Sequence, residues 1–413
     1  MNKQKIFNSI TLTFLFSVII VLLFSSYFLY PSIIPMIKNG QTIFFADWSG
    51  IMTAIECHNK GLNVYLNNPC DAWGREMVYG KILLYLPFVE KFTIFYYLII
   101  PLILNFIFIF IIVSFFNYKN KYEYMYICIL LLNFPTLLAI ERANFEILIF
   151  ILFYLLSISN KLYINQMIVC LTSLIKFYPI ASLSIFLFDR KIKKSFINIF
   201  LSITIILLIL SFQKDELIQI FNTRDLFSGR EMYGFSIKEL FTTLFIFRNY
   251  DFTNNIYLYF LTCFTILFMV FILVYRIYIR VNIIKKYNYY KNFSLNCYQN
   301  RMFIVFSFTI IFCYFVFSNI AYREIFIIGL IPFLINQIND NKNKKYFNFI
   351  LNFILAKLFI STVITILYME DIFPNYDIYF LLLKHLLDFS LVSILLINLL
   401  CIFNYFYFKN RLF

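Results

Sequence analysis

The sequence predicts an all-α protein that threads a membrane many times. Three observations predict it. Of 413 residues, 62% are hydrophobic and only 14% are charged, against roughly 25% charged in an ordinary soluble domain. Apolar stretches of about 18 residues or more recur along the whole chain, the length that crosses a bilayer as a helix. No stretch alternates with the period of barrel strands, which leaves helices as the way to satisfy the backbone inside lipid. The net charge of +14 would suggest nucleic acid in a soluble protein. In a membrane chain it asks instead which side carries the lysines and arginines, and no nucleic-acid partner is expected.

Taken in order, the stretches 6–30, 92–116, 123–140, 145–159, 196–212, 255–279, 302–319, 324–338, 348–368 and 377–405 read as about ten full spans. The first is too long for a signal-peptide core and lacks a small-residue cleavage site, so it reads as a retained anchor. The start Met1-Asn2-Lys3-Gln4-Lys5 places the N-terminus in the cytoplasm. Lys119, Lys121, Lys161, the cluster Arg276–Arg301, Lys342, Lys344, Lys345, Lys409 and Arg411 then fall on the same side. The basic run "DRKIKKS" (Asp189–Ser195) breaks this alternation if 162–188 crosses once. It fits if 162–188 is a hairpin of two short helices that rise and return, broken at "LIKFYP", where Pro179 restricts the backbone. Both termini are then cytoplasmic, and the whole chain, 1–413, is one transmembrane domain. It shows no glycine-rich nucleotide loop, which argues against a nucleotide-fuelled pump.

Most of the 21 acidic residues then lie outside, although Asp and Glu contribute little to orientation. They collect in a first outer loop, 31–91, in the turn "AIERANFE" (Ala139–Glu146), and in a second large outer loop, 213–253. The first loop carries "FFADWSGIMTAIECHNKGLNVYLNNPCD" and both tryptophans, Trp48 and Trp73. "GREMVYG" (Gly74–Gly80) and "GREMYG" (Gly229–Gly234) echo one another, and "YRE" (Tyr322–Glu324) echoes both. Chance in a biased composition is the plain explanation. The functional one is that Arg75 and Arg230 hold anionic groups, because guanidinium forks suit phosphate and carboxylate.

Ionisable groups within spans are costly and mark sites by default. Lys176 falls at the hairpin tip, with Tyr178 and Pro179 beside it; snorkelling to the headgroups is the plain alternative. Glu141, Arg142, Asn144 and Glu146 gather at the outer mouth of two helices, or form an internally paired turn. Lys384 and Asp388, four apart, are expected to neutralise one another, and Lys357 to snorkel or pack. Cys57 and Cys70 share the outer loop and can bond in an oxidising compartment. His58 and His385 show no metal-ligand spacing.

The order of these segments resembles the polyprenyl-phosphate-sugar-dependent glycosyltransferases of the C-type superfamily, in particular the mannosyltransferase-like family 87. An Asp follows the first span, "GLNVY" and "NNPCD" stand where that family has a Gly-Asn-Pro-Tyr-like segment, and "ERANFEILIFIL" resembles its Gly-Gln-x-Asn helix start. "LIKFYPIASLSIFLFDRK" resembles its Lys-Pro-x-Pro hairpin, and "YREIFIIGLIPFLI" a late helix with a proline. Glu141-Arg142 departs from the usual Gly-Gln, and "PCDAWGREMVYG" has no counterpart. The resemblance implies a C-type bundle in the cell membrane, moving a sugar with inversion from a polyprenyl phosphate to a lipid-linked or envelope glycan on the outer face. Such transfer needs a carboxylate base on the acceptor and cations on the departing phosphate. Asp47 takes the first role, and Lys176, Arg142, Arg230 and Arg75 the second. Trp48, Tyr65, Trp73, Glu141, Asn144, Tyr178, Tyr322 and Arg323 become sugar or acceptor contacts. No metal site is expected, and a divalent cation is left open as cofactor. The plain reading of Asp47 is an acid capping the next helix. An envelope-polysaccharide polymerase or ligase, in which 213–253 outweighs Asp47, and a transporter, with charges at mid-membrane, are the alternatives.

Overall fold

The computed structural model describes residues 3–25, 37–38, 41–42, 45–87, 89, 91–118, 120–188, 192–211, 213–223, 234–246, 272, 293–316, 321–339, 344–369 and 377–409. Arg230, the stretch 255–279 apart from residue 272, and most of the basic cluster Arg276–Arg301 lie outside them. The described residues are mostly helical; among them are a long irregular stretch, 60–80, and a two-residue antiparallel pairing of Ile37–Lys38 with Gln41–Thr42.

Helix α1 (Lys3–Ser25) packs on α3 (Ile100–Ser114) and carries exposed Phe7, Phe14 and Leu22, as a lipid-facing helix would. Between them lies α2 (Ala46–Asn59), the "ADWSGIMTAIECHN" stretch. Helices α4 (Lys121–Leu131) and α5 (Phe134–Arg142) follow, then α6 (Phe145–Ile158) and α7 (Leu162–Ile175). The chain continues through a 3-10 helix (Tyr178–Leu183) into the short α8 (Ser184–Leu187), then α9 (Ile192–Ser211), α10 (Lys214–Thr223) and α11 (Ile237–Ile246). The last helices are α12 (Tyr298–Val316), α13 (Ile331–Asn339), α14 (Lys344–Met369) and α15 (Asp377–Lys409). A 3-10 helix, Ala321–Leu330, leads directly into α13.

Among the described residues, four helical stretches are long and apolar enough to cross a membrane: Gln4–Leu23, Phe95–Ser114, Lys344–Leu367 and Tyr379–Tyr405. A fifth results if α4 and α5, bent by 56°, are one broken span. The expected uninterrupted span 123–140 is therefore divided. The cause is local: Asn133 accepts a hydrogen bond from the Thr136 N–H at 3.0 Å, and Pro135 occupies the first turn. That is a helix start in the middle of an apolar run. The expected span 145–159 appears as the shorter apolar helix Phe145–Ile158, and that at 196–212 as the short apolar part, Ser195–Ser211, of α9. At 1.5 Å per residue the 14-residue α6 reaches about 21 Å, short of a hydrocarbon core of about 30 Å.

The break at Lys176 stands where Pro179 suggested. Helix α7 stops at Ile175, Lys176 is extended, and the 3-10 helix after it packs against α7. Gly80 closes this junction from the other side. Its N–H donates to the Ile175 carbonyl at 3.1 Å, and a Cβ at Gly80 would lie 1.7 Å from the Leu174 carbonyl oxygen. Only a residue without a side chain permits that approach.

The core is aromatic. Phe150 and Phe153 of α6 meet Phe306 of α12 at 5.0 and 5.8 Å between ring centroids, and Phe326 of the late 3-10 helix joins Phe153 at 5.9 Å. Such edge and tilted contacts add to the apolar area removed from solvent. Around this core the chain holds two polar clusters, one at the ends of α2, α5 and α6, and one among α14, α15 and the late 3-10 helix.

Candidate functional site

The first cluster forms where three helix termini meet. Helix α5 ends in Arg142 and reverses through Ala143, a left-handed residue at φ 44°. The Ala143 N–H donates to the Ile140 carbonyl and the Asn144 N–H to the Ala139 carbonyl, closing the helix end. Asn144 then caps α6 by accepting from the Glu146 N–H at 3.0 Å. That bond engages the side-chain oxygen and turns the amide nitrogen outward, where it donates to Asp47 Oδ2 at 2.5 Å. Helix geometry thus fixes which end of Asn144 meets the carboxylate.

Asp47 lies in the first turn of α2, after Phe45, a second left-handed non-glycine residue at φ 55°. Left-handed backbone at non-glycine residues costs free energy and gathers at functional sites. The positive N-termini of α2 and α6 both face the Asp47 carboxylate. Its Oδ1 accepts from Arg75 Nη1 at 3.3 Å and from Arg142 Nη1 at 3.4 Å. Arg75 is itself gripped by Asp71, which accepts from its Nε at 3.0 Å and its Nη2 at 2.9 Å, while Nη2 also donates to the Ala46 carbonyl. Gly50 leaves room for this fork, since a Cβ there would meet Arg75 Nη2 at 2.8 Å. Burial alone would raise the Asp71 carboxyl, but the Arg75 bonds and charge outweigh it and hold it below its usual range. Side-chain exposure rises outward, from 11% at Asp47 through 18% at Arg142 to 38% at Arg75.

Behind Asn144 the cluster continues inward. The Glu146 carboxylate accepts from Lys176 Nζ at 2.8 Å, from Arg323 Nε at 3.1 Å and from the Tyr178 hydroxyl. Two cations share this one acid. Lys176 lies over the Tyr79 ring at 4.6 Å and Arg323 over Tyr178 at 4.5 Å. Arg323 Nη1 is buried with no hydrogen-bond partner, a state a protein interior seldom leaves in place. Asp47 is close enough to act electrostatically on Lys176, Tyr79 and Tyr322.

The structure therefore brings together Asp47, Arg75, Glu141, Arg142, Asn144, Lys176, Tyr178, Tyr322 and Arg323. Lys176 is buried and paired rather than snorkelling. Trp48 is buried, its ring stacked on Phe145 at 4.7 Å and its N–H donating to the Tyr96 carbonyl. It braces the site and offers no open face. Tyr65 is also buried, its hydroxyl donating to the Tyr79 carbonyl, and burial raises that hydroxyl's pKa further. Trp73 is more exposed and lies against Arg75 at 4.6 Å. Cys57 and Cys70 form a disulfide, as an oxidising compartment allows. Sequence reasoning passed over Asp71 as the acid that holds Arg75, and Glu146 as a hub; the i, i+4 spacing of Asp71 and Arg75 was the available signal for the first.

In the second cluster Lys357, expected to snorkel or pack, is packed inside and paired. Its ammonium is fully buried, pairs with Glu324, and lies 2.8 Å from Asp388. Lys384 stands 3.8 Å from both acids and donates to the Gly234 carbonyl at 2.6 Å. His385 adds its Nδ1 at 3.8 Å from Asp388. No group of three metal-ligating side chains occurs among the described residues. The fold and sites define a helical protein with several apolar helices able to span a membrane. No family model, no curated protein and no solved structure matches the chain.

Proposed function

We propose that the protein is a membrane glycosyltransferase with a C-type bundle of about ten spans and both termini in the cytoplasm, taking its sugar from a polyprenyl phosphate. The observation that supports it is a partly exposed acid, Asp47, within electrostatic reach of buried Lys176, which shares the Glu146 carboxylate with a second buried cation, Arg323. In the reaction an acceptor hydroxyl attacks the anomeric carbon as its proton passes to Asp47. The bond from that carbon to the phosphate oxygen breaks, and polyprenyl phosphate leaves. The surplus positive charge and the unpartnered Arg323 N–H suit a leaving phosphate. Arg75 and Arg142, which hold Asp47 in the resting site, are also the groups nearest the surface. A phosphate drawing either guanidinium away frees Asp47 Oδ1 for the acceptor hydroxyl only when donor is present.

The test is transfer from a panel of polyprenyl-phosphate sugars by purified protein in lipid nanodiscs. Asp47→Asn keeps the shape and removes the proton acceptor, so the rate falls about 10²–10⁴-fold with KM for donor little changed. An Asp47→Asn protein with wild-type transfer ends this assignment.

Transport is the second reading, and one observation favours it. Glu324, Lys357, Lys384 and Asp388 are all buried, the last three about 10–18 Å along α14 and α15 from their Met369 and Asp377 ends. Charges at that depth beside a 3-10 segment are what a substrate pathway requires. Uptake of a lipid-linked or small polar substrate into proteoliposomes, with no transfer in the first assay, selects it.

A further inference from the structure

A cleft of about 450 Å³ opens between the first outer loop and α10, within the size range of small-molecule sites. Its polar lining comes from both sides: His58, Asn63 and Lys81 from the loop, and Asp215, Glu216 and Gln219 from the helix. Leu62 and Leu84 supply apolar surface between them. The walls are already tied together. Lys81 pairs with Glu216, the Asn63 amide donates to Gln219 Oε1 at 3.2 Å, and the Cys57–Cys70 disulfide closes the loop from which one wall is built.

The charges decide what fits. Among the described residues lining the cleft Lys81 is the one lysine or arginine, it is already paired, and two carboxylates line the cleft with it, so an anion such as a phosphate is disfavoured. Amide, carboxylate and imidazole groups set beside aliphatic surface match a ligand with hydroxyls at its edge and C–H groups on its faces. We infer that this cleft binds an uncharged saccharide and holds the distal sugars of the glycan acceptor. The acceptor part of this rests on the glycosyltransferase reading; the saccharide part does not.

Position adds a constraint. His58 lies eleven residues beyond Asp47 on α2 (58 − 47), about 16 Å at 1.5 Å per residue. A single sugar in the cleft cannot reach Asp47, so the acceptor is a chain of several units. A chain of buried side-chain contacts links the two places. Tyr65 lines the cleft and donates to the Tyr79 carbonyl, Tyr79 packs on Phe145 at 5.4 Å, and Phe145 stacks on Trp48 beside Asp47.

Saturation-transfer NMR on the full chain in detergent micelles tests this, with maltose, cellobiose, chitobiose and mannobiose as probes. At least one gives a millimolar signal, weakened tenfold or more by Gln219→Ala and by Asn63→Ala. Gln219→Ala sits on the exposed helix, and its melting curve establishes that the fold is kept should Asn63→Ala disturb the loop. Inorganic phosphate at equal concentration leaves the signal unchanged. Silence from all four disaccharides, binding indifferent to both substitutions, or displacement by phosphate each overturns the inference. Saccharide binding without sugar transfer leaves the cleft standing and removes the glycosyltransferase reading; transfer without saccharide binding does the reverse.

Discussion

Replacing Lys357 with Met should be the most damaging single change in the buried half of the protein. Met keeps the length and apolar stem of lysine and deletes only the ammonium. That ammonium bridges Glu324 and Asp388, all three side chains being fully buried. After its loss Lys384 remains 3.8 Å from each acid. At an effective dielectric of about 20 each such contact is worth roughly 4 kcal/mol of attraction. One cation then faces two buried acids, and breaking a buried pair from one side costs about 3–5 kcal/mol. The double variant Lys357→Met/Glu324→Gln restores neutrality by leaving Lys384 and Asp388 as a pair. It should recover most of the loss, because the penalty comes from the uncompensated charge. Equilibrium unfolding in mixed micelles measures both proteins against wild type. A single-variant loss under about 1 kcal/mol, or a double variant as unstable as the sum of its parts, refutes the reasoning.

Gly80→Ala should cost about 1–3 kcal/mol, because its Cβ collides with backbone at Leu174 rather than with a yielding side chain; thermal unfolding in detergent checks it. The Cys57→Ser/Cys70→Ser protein should lose about 2–4 kcal/mol and no longer respond to dithiothreitol, whereas wild type melts earlier when reduced. Asp71 is held below its usual range in the folded loop, so its contribution is complete above about pH 4 and fades as acid takes the carboxylate through its folded value. Limited proteolysis of the 45–87 region should accelerate on going from pH 5 to pH 3, and Asp71→Asn should flatten that dependence. Asn144→Asp keeps the cap on α6 yet sets a second carboxylate against Asp47, which must then share a proton; sugar transfer should fall at neutral pH, with the melting temperature changed less than in Asn144→Ala.

What the sequence disclosed was mostly local. The break after Ile175 was visible because Pro179 and its neighbour constrain three or four residues of backbone, and the polar turn at Glu141–Glu146 because its residues are contiguous. The bend between α4 and α5 was equally local and was hidden by the apolar run around it, although Asn133 and Pro135 are an ordinary helix start. Asp47 stood out as an acid next to a span, but its partners lie 28, 95 and 97 residues away, a relation that periodicity does not carry. The pairing of Lys357 was hidden for the same reason. Its partners are Glu324 and Asp388, on other elements, and a reading confined to its own helix left snorkelling or packing without a named partner. Two acids and two lysines within three late apolar segments do sum to zero, and that balance was the available hint.

The 3-10 helix Ala321–Leu330 has a consequence for how the chain tolerates change in length. With three residues per turn, neighbours point about 120° apart, and Arg323 serves Glu146 while Glu324 serves Lys357 and Lys384. Inserting or deleting one residue before Tyr322 would rotate the whole segment by a third of a turn and take each charge off its cluster. Surface loops absorb such insertions freely. Here an inserted residue would place Arg323 against the lysines, and a deleted one Glu324 against Glu146, so a length scan should find this ten-residue segment as rigidly counted as a reading frame.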